Sequence, residues 1–305
     1  MKPLVSIIMP AYNAGKFIGE AVQSVVNQNY NNWELIILID GGSEDNTASL
    51  VRQIAQSDSR IKYREHSLQR MASARNLGIK MATGQYVSFL DADNLFLKNK
   101  LTDQISFLEN NPQSDICYSR IYHFYDREPQ LLYQNKNELH QACLEVAPKD
   151  FFRALLNNNF INVLSVMIRK QALDQCGVFP EGWSNCEDHF FWINLCYHRA
   201  VFLPLDRPVG LLRLHSANDS FSRGFLLQTS LDFYSLLKTV ENWLSLEEKK
   251  KYKKDLIRQY RYQKKISLVG RLLSNPLFSW VLMPLFLYRR KRAYYLVGDR
   301  KTILP

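Results

Sequence analysis

Two carboxylates one residue apart, Asp91 and Asp93, stand directly after the apolar run Tyr86-Val87-Ser88-Phe89-Leu90. Acids at i and i+2 past the end of a buried strand reach the same rim of a sheet. There they can hold a hard divalent cation and share it with phosphate oxygens. Asp also has an ordinary use as a helix cap, and the pair taken alone leaves both readings open. Asp188 opens a segment of helical period, with Phe191, Trp192, Leu195 and Cys196 on one stripe. Read by itself, it too could be no more than a cap.

The chain around these acids alternates strand and helix patterns. Leu4–Met9, Glu34–Ile39, Ile61–Arg64 and Tyr86–Leu90 read as strands, and the longer ones are continuous apolar runs. Between them, Lys16–Gln28, about Asn46 to Gln56, and Met71–Ala82 read as helices; Phe17, Ala21, Val22, Val25 and Val26 share a face of the first. Such alternation implies a parallel sheet covered by helices on both sides. Right-handed crossovers then bring the C-terminal ends of the strands to one edge, where ligands bind. Asp40-Gly41-Gly42-Ser43 forms a tight turn at that edge. Beyond residue 110 the pattern is mixed, with strands at Asp115–Tyr122 and Val163–Ile168 and a helix at Asp188–Arg199.

Order and spacing over residues 4–95 resemble the family 2 glycosyltransferases of GT-A fold. Val5-Ser6-Ile7-Ile8-Met9-Pro10-Ala11-Tyr12-Asn13 is similar to that family's opening strand and nucleotide-binding loop. Asp40-Gly41-Gly42-Ser43-Glu44-Asp45-Asn46-Thr47 is similar to its acidic turn. Ala74-Arg75-Asn76-Leu77-Gly78, Ala82-Thr83-Gly84 and Asp91-Ala92-Asp93 are similar to the stretch leading into its metal motif. Later, Glu187-Asp188 with Trp192 resembles the motif carrying the general base. Leu212-Arg213-Leu214-His215, with Ser220 and Ser222 beyond, resembles a segment that closes over the diphosphate.

The resemblance implies a Rossmann-like, mixed but mainly parallel sheet flanked by helices, and an inverting transfer of sugar from a nucleotide-sugar to a hydroxyl. It assigns Asp188 as base and a divalent cation (Mg²⁺ or Mn²⁺) to Asp93, with Asp91 and His215. It assigns the nucleotide-sugar to Pro10, Ala11, Tyr12, Asn13, Asp40, Arg75, Asp91, Ala92, Glu187 and Arg213. Two positions depart from the pattern. Gly41 stands where many relatives have a base-contacting Asp, which weakens the inference of uridine, although UDP remains the default. Asn94 stands where a third acid often follows, keeping an oxygen ligand but removing a charge.

Residues 223–305 carry 18 Lys/Arg against 6 Asp/Glu, whereas residues 1–222 carry 21 against 23. Basicity therefore belongs to the tail, which argues against a folded body that grips nucleic acid. We expect a catalytic domain over 1–222, with a nucleotide half at about 1–110 and an acceptor half at 111–222, then a basic helical extension over 223–305. In the extension, residues 247–265 are strongly cationic. Leu277–Tyr288, with Trp280 and Pro284, is apolar and is followed by Arg289-Arg290-Lys291-Arg292. Twelve apolar residues cannot span a bilayer but can lie on one, so residues 247–292 point to an anionic membrane surface. Five cysteines without a Cys-x-x-Cys pair, and no secretory signal, fit reduced thiols in a cytoplasmic or inner-face peripheral protein. The expected acceptor is a saccharide or lipid-linked sugar of surface polysaccharide, lipopolysaccharide or glycolipid synthesis. An inactive membrane scaffold would lack reason to keep both Asp93 and Asp188. A nucleotidyltransferase would need a Gly-rich loop with a basic residue near the N-terminus, and none is present.

Overall fold

The computed structural model describes residues 2–67, 70–125, 139–140, 150–183, 185–215 and 225–274. Cys143, Ser184, Ser220, Ser222 and the 277–292 segment lie outside them. The described residues divide into two compact units. The first is drawn from Met1–Tyr122, His140–Trp183 and Glu187–Arg213, the second from His123–Leu139, Ser184–Cys186 and Leu214–Pro305.

The first unit begins β1 (Val5–Ala11), α1 (Ile18–Val26), β2 (Trp33–Asp40), α2 (Thr47–Ser57), β3 (Ile61–His66), α3 (Met71–Met81) and β4 (Tyr86–Phe89). Every residue of β1, β2 and β4 is buried, as expected of strands covered on both faces. β1 runs parallel to β2, pairing Val5 with Trp33 through to Ala11 with Ile39, and parallel to β4, pairing Val5 with Tyr86. β3 joins β2 in parallel, ending at Asp40 opposite His66. Ala11, Asp40, His66 and Phe89 therefore finish on one edge, and the loops after them share it.

β5 (Leu95–Phe96), α4 (Lys100–Asn110), β6 (Ile116–Tyr125), β7 (Leu139–His140), α5 (Phe151–Asn157), β8 (Met167–Arg169), α6 (Lys170–Cys176), α7 (Glu187–Tyr197) and β9 (Phe202–Leu214) follow. The sheet order is β3-β2-β1-β4-β8-β6-β9-β5, and β8 is antiparallel to both β4 and β6. The expected strand at 163–168 is shorter than its apolar run. Val163–Ser165 is a 3₁₀ turn because the Asn162 side chain accepts from Leu164 N at 2.9 Å and so caps it. The periodicity also missed α4. Its inward face carries Lys100 and Gln104, both buried, which bond each other at 2.7 Å and reach the carbonyls of Val166 and Ser165. α5 and α6, seven residues each, are too short to show a period.

Two glycines let α3 and the turn after it lie close to the sheet. A Cβ on Gly78 would come within 2.4 Å of Ile8, and one on Gly84 within 2.6 Å of the Leu4 carbonyl. Glu34 ties the same region together. Its buried carboxylate accepts from Ser6 Oγ at 2.6 Å, from Thr83 N and Oγ1 at 2.8 Å, and from Lys62 Nζ at 2.7 Å. Burial alone would raise its pKa, but the bonds from Lys62, Ser6 and Thr83 outweigh it and hold the group at about 2.

In the second unit, α8 (Phe225–Trp243) and α9 (Leu246–Ser274) form a helical hairpin. Ser245 and Glu248 build a capping box at the start of α9: Glu248 N donates to Ser245 Oγ at 3.2 Å and Ser245 N to Glu248 Oε2 at 2.9 Å. Phe233, Leu236, Leu237 and Val240 of α8 are buried, as are Tyr252 and Leu256 of α9. Tyr260 Oη donates to Glu241 Oε2 at 2.8 Å.

Because the folded pKa of Glu34 lies below its unfolded value, its contribution is complete above about pH 4.5 and fades as pH falls toward about 2. Glu34→Ala should cost about 3 kcal/mol at pH 7 and progressively less on acidification across that window, read by urea unfolding at each pH.

Candidate nucleotide and acid site

The loop after β1 and the turn after β2 are stitched together at the sheet edge. Pro10 and Ala11 are buried at the end of β1, and Tyr12 is 59% exposed beside them. Asn13 turns the chain with φ of 45°, a left-handed conformation that Asn tolerates better than most residues. Its Oδ1 accepts from Glu44 N at 2.8 Å. Thr47 Oγ1 accepts from Ala14 N, and Asp45 Oδ2 from Gly15 N, both at 2.8 Å. Asp40 is nearly buried and accepts from Gly42 N at 2.9 Å, while Gly41 N donates to the His66 carbonyl at 2.7 Å. A cleft of about 500 Å³ opens here, lined by Asp40, Gly41, Gly42, Glu65, His66 and Ser67. A side chain at Gly42 would touch the Tyr12 ring, so that ring borders the cleft.

The acids after β4 and those opening α7 meet through one arginine. Arg75, in the second turn of α3, is 3% exposed. Its Nη2 donates to Asp91 Oδ1 and its Nη1 to Glu187 Oε1, each at 2.9 Å. These anions hold the guanidinium charged despite its burial, and the Phe179 ring lies 5.4 Å from it. Next to Arg75 in sequence, Asn76 pins the segment that leads toward α7: its Oδ1 accepts from Phe179 N, and its Nδ2 donates to Phe179 O and Glu181 Oε1.

Asp188 is half-buried and accepts from Asn159 Nδ2 at 3.1 Å and from His189 N at 2.7 Å. Burial raises its pKa against the pull of Arg75 and Asn159. Burial and the adjacent Asp188 raise Glu187 as well. Below them, His189 Nε2 bonds the Leu155 carbonyl and Trp192 Nε1 donates to Ile161 O, so α7 is fixed to α5 and the loop after it. Burial pushes His189 down to about 4, leaving it neutral near pH 7.

Arg213, near the end of β9, locks the acid loop from another side. Its backbone N donates to Asn94 Oδ1 at 2.9 Å, its Nε to the Asp93 carbonyl at 2.8 Å and its Nη2 to Glu20 Oε2 at 2.6 Å. The Asn94 oxygen, which stands where a third acid often follows, accepts this backbone hydrogen bond, and the residue is 5% exposed. Ala92, between the two acids, is buried, while Asp91 and Asp93 are partly exposed. His215 directly follows β9 and belongs to the second unit.

Among the described residues, no three His, Cys, Asp or Glu side chains cluster as a protein-only metal cage. The acid loop suits the other way of holding a hard cation, one or two carboxylates completed by substrate phosphates. Sequence reasoning missed Asn159 and Glu20. Neither lies in a recognisable motif, and both reach their partners across long separations, 29 residues for Asn159 to Asp188 and 193 for Glu20 to Arg213.

The mainly parallel sheet, flanked by helices and gathering its strand ends on one edge, is that of the GT-A fold. Residues 6–174 match the model of the family described as Glycosyl transferase family 2, and the chain belongs to that family. It is 36% identical over 197 residues to an Escherichia coli protein named UDP-Glc:alpha-D-GlcNAc-diphosphoundecaprenol beta-1,3-glucosyltransferase WfgD, covering 63% of this chain and 69% of the relative. It is 25% identical over 285 residues to GalNAc(5)-diNAcBac-PP-undecaprenol beta-1,3-glucosyltransferase of Campylobacter jejuni, covering 91% and 88%. It also matches an uncharacterized glycosyltransferase of Rickettsia bellii at 33% identity, where 71% of this chain spans 30% of the relative's length. Among solved structures, S. aureus TarS residues 1–349 in complex with UDP aligns with TM-score 0.59 at 19% identity, over 90% of this chain and 71% of that one. The mannosyltransferase PcManGT of Pyrobaculum calidifontis, in complex with GDP-Man and Mn²⁺, aligns with TM-score 0.61 at 15% identity, over 98% and 84%.

Arg75→Met would leave Asp91 and Glu187 facing each other without a cation. We expect a loss of about 3–5 kcal/mol in urea unfolding, and the added pair Asp91→Asn and Glu187→Gln should recover much of it.

Proposed function

We propose that this chain is an inverting glycosyltransferase that moves a sugar from a nucleotide-sugar, UDP-linked by default, to a hydroxyl of a saccharide or lipid-linked acceptor. The observation that carries this reading is the Asp188 carboxylate. It is half-buried, raised in pKa and held by Asn159 beside the Arg75 bridge that reaches the Asp91-Ala92-Asp93 loop. A base near the working pH is what proton abstraction from a hydroxyl requires.

In this reading the base and ribose enter the cleft beside Asp40 and Tyr12, with the Pro10–Asn13 loop along the ribose. The acid loop faces the diphosphate, and Asp93, with Asp91, would hold a Mg²⁺ or Mn²⁺ ion shared with it. When bound, that ion neutralises charge developing on the leaving nucleotide. Asp91 also keeps Arg75 in place, and Arg75 and Glu187 orient the start of α7. Asp188 accepts the acceptor's proton as its oxygen attacks the anomeric carbon opposite the leaving group, so a single displacement inverts the configuration. His215 is proposed to reach the diphosphate or the ion when donor is bound. The undecaprenol-linked acceptors named for the E. coli and Campylobacter relatives support an acceptor presented at a membrane, as in surface polysaccharide or glycolipid synthesis.

Asp188→Asn should lower kcat by about 10²–10⁴-fold while donor affinity, read by thermal shift with nucleotide-sugars and Mg²⁺ or Mn²⁺, stays near that of the parent. Full turnover in that variant would overturn the assignment. Asn159→Ala removes a hydrogen bond to the Asp188 anion. The acidic limb of the kcat/KM profile should therefore move to higher pH by about 1 unit.

A further inference from the structure

α9 presents two unlike faces. Its inner seam is Tyr252, Leu256, Gln259 and Gln263, spaced at i, i+4, i+7 and i+11, and all four are buried. On the opposite side, Lys250, Lys254, Arg258, Arg261, Lys264 and Lys265 are exposed. Ile257 and Leu268 lie in that same stripe, 40% and 62% exposed. Glu247 is the one acid on this face among the described residues, at its very start, and Asp255 on the flank pairs with Arg258 at 2.9 Å. At 1.5 Å per residue the row from Lys250 to Leu268 runs about 27 Å along a straight helix. The seam is thus already buried within the unit, and the cations lie on its exposed side.

We propose that this stripe of α9 is a docking surface for an anionic lipid bilayer, lying flat on the headgroups with Ile257 and Leu268 entering the acyl boundary. Charge complementarity selects a polyanion, and the exposed aliphatic side chains between the cations select a lipid surface over a nucleic-acid backbone, which gives them nothing to bury against. The inference places the membrane contact on α9 itself, apart from residues 277–292, and does not depend on the donor chemistry proposed above.

The test is co-sedimentation of the full chain with phosphatidylcholine vesicles, with and without phosphatidylglycerol. The parent should bind only the anionic vesicles and release as salt rises. Lys254→Gln, Arg258→Gln, Arg261→Gln and Lys265→Gln combined should weaken binding at least about 100-fold, taking about fivefold per charge. Unchanged helicity and melting would show the variant folded, since these side chains lie outside the buried seam. Ile257→Ser with Leu268→Ser should weaken vesicle binding while leaving any binding to single-stranded RNA unchanged. Equal vesicle binding by the fourfold variant would overturn the proposal. So would failure of the parent to bind anionic vesicles, or RNA competing fully with them in the parent.

Discussion

A guanidinium withdrawn from water remains charged only where anions face it, and it leaves those anions stranded if it is removed. Arg75 places that constraint at the centre of the first unit. Asp91 comes from the end of a parallel strand, Glu187 from the start of a helix 96 positions later, and each accepts one arm of the same fork. The edge that gathers strand ends and the half of the chain that carries Asp188 are thereby held in one register. Burial, with one guanidinium serving several carboxylates, leaves Asp188, next to the clamp but not part of it, raised in pKa.

The first hundred residues were legible because their signals are local. Largely apolar runs at 5–9, 35–39 and 86–90, bounded by turn signals and alternating with helical periods, read as strands buried on both faces, and they are. The Ala74–Gly78 stretch turned out to be dense with separate duties: Arg75 clamps, Asn76 holds the Phe179 segment, and Gly78 lets α3 reach the sheet. What failed to show was carried by polar side chains turned inward. Lys100 and Gln104 break the apolar stripe of α4 because their polar ends bond carbonyls of the 3₁₀ turn and of Val166. Asn94 has the right type for a ligand, and only the position of Arg213 N reveals that its oxygen also accepts a backbone hydrogen bond. Asn159 has no periodic or motif signature, since its value comes from a fold-dependent meeting with Asp188.

The second unit follows a simpler logic. Its hairpin is closed by a capping box, a buried seam and a tyrosine–glutamate bond, while most of its cations lie on the exposed side. Six of the 18 Lys/Arg counted in residues 223–305 line one exposed face of α9. A field of that kind acts over roughly a Debye length, about 8 Å at physiological salt, and weakens as salt is added.

The Asn76 amide has a consequence for how such chains can diversify. Both of its ends are committed to the Phe179–Glu181 backbone and side chain, so the segment before α7 is keyed to α3 there, beside the β4–β8 pairing and the bonds from Lys100 and Gln104 that hold Val166 and Ser165. A segment exchanged between relatives must offer the same N–H and C=O to residue 76 as well as keep the pairing with β4. A segment that does not would arrive with two buried backbone groups unanswered, and the seam between the halves would be where the chimera fails.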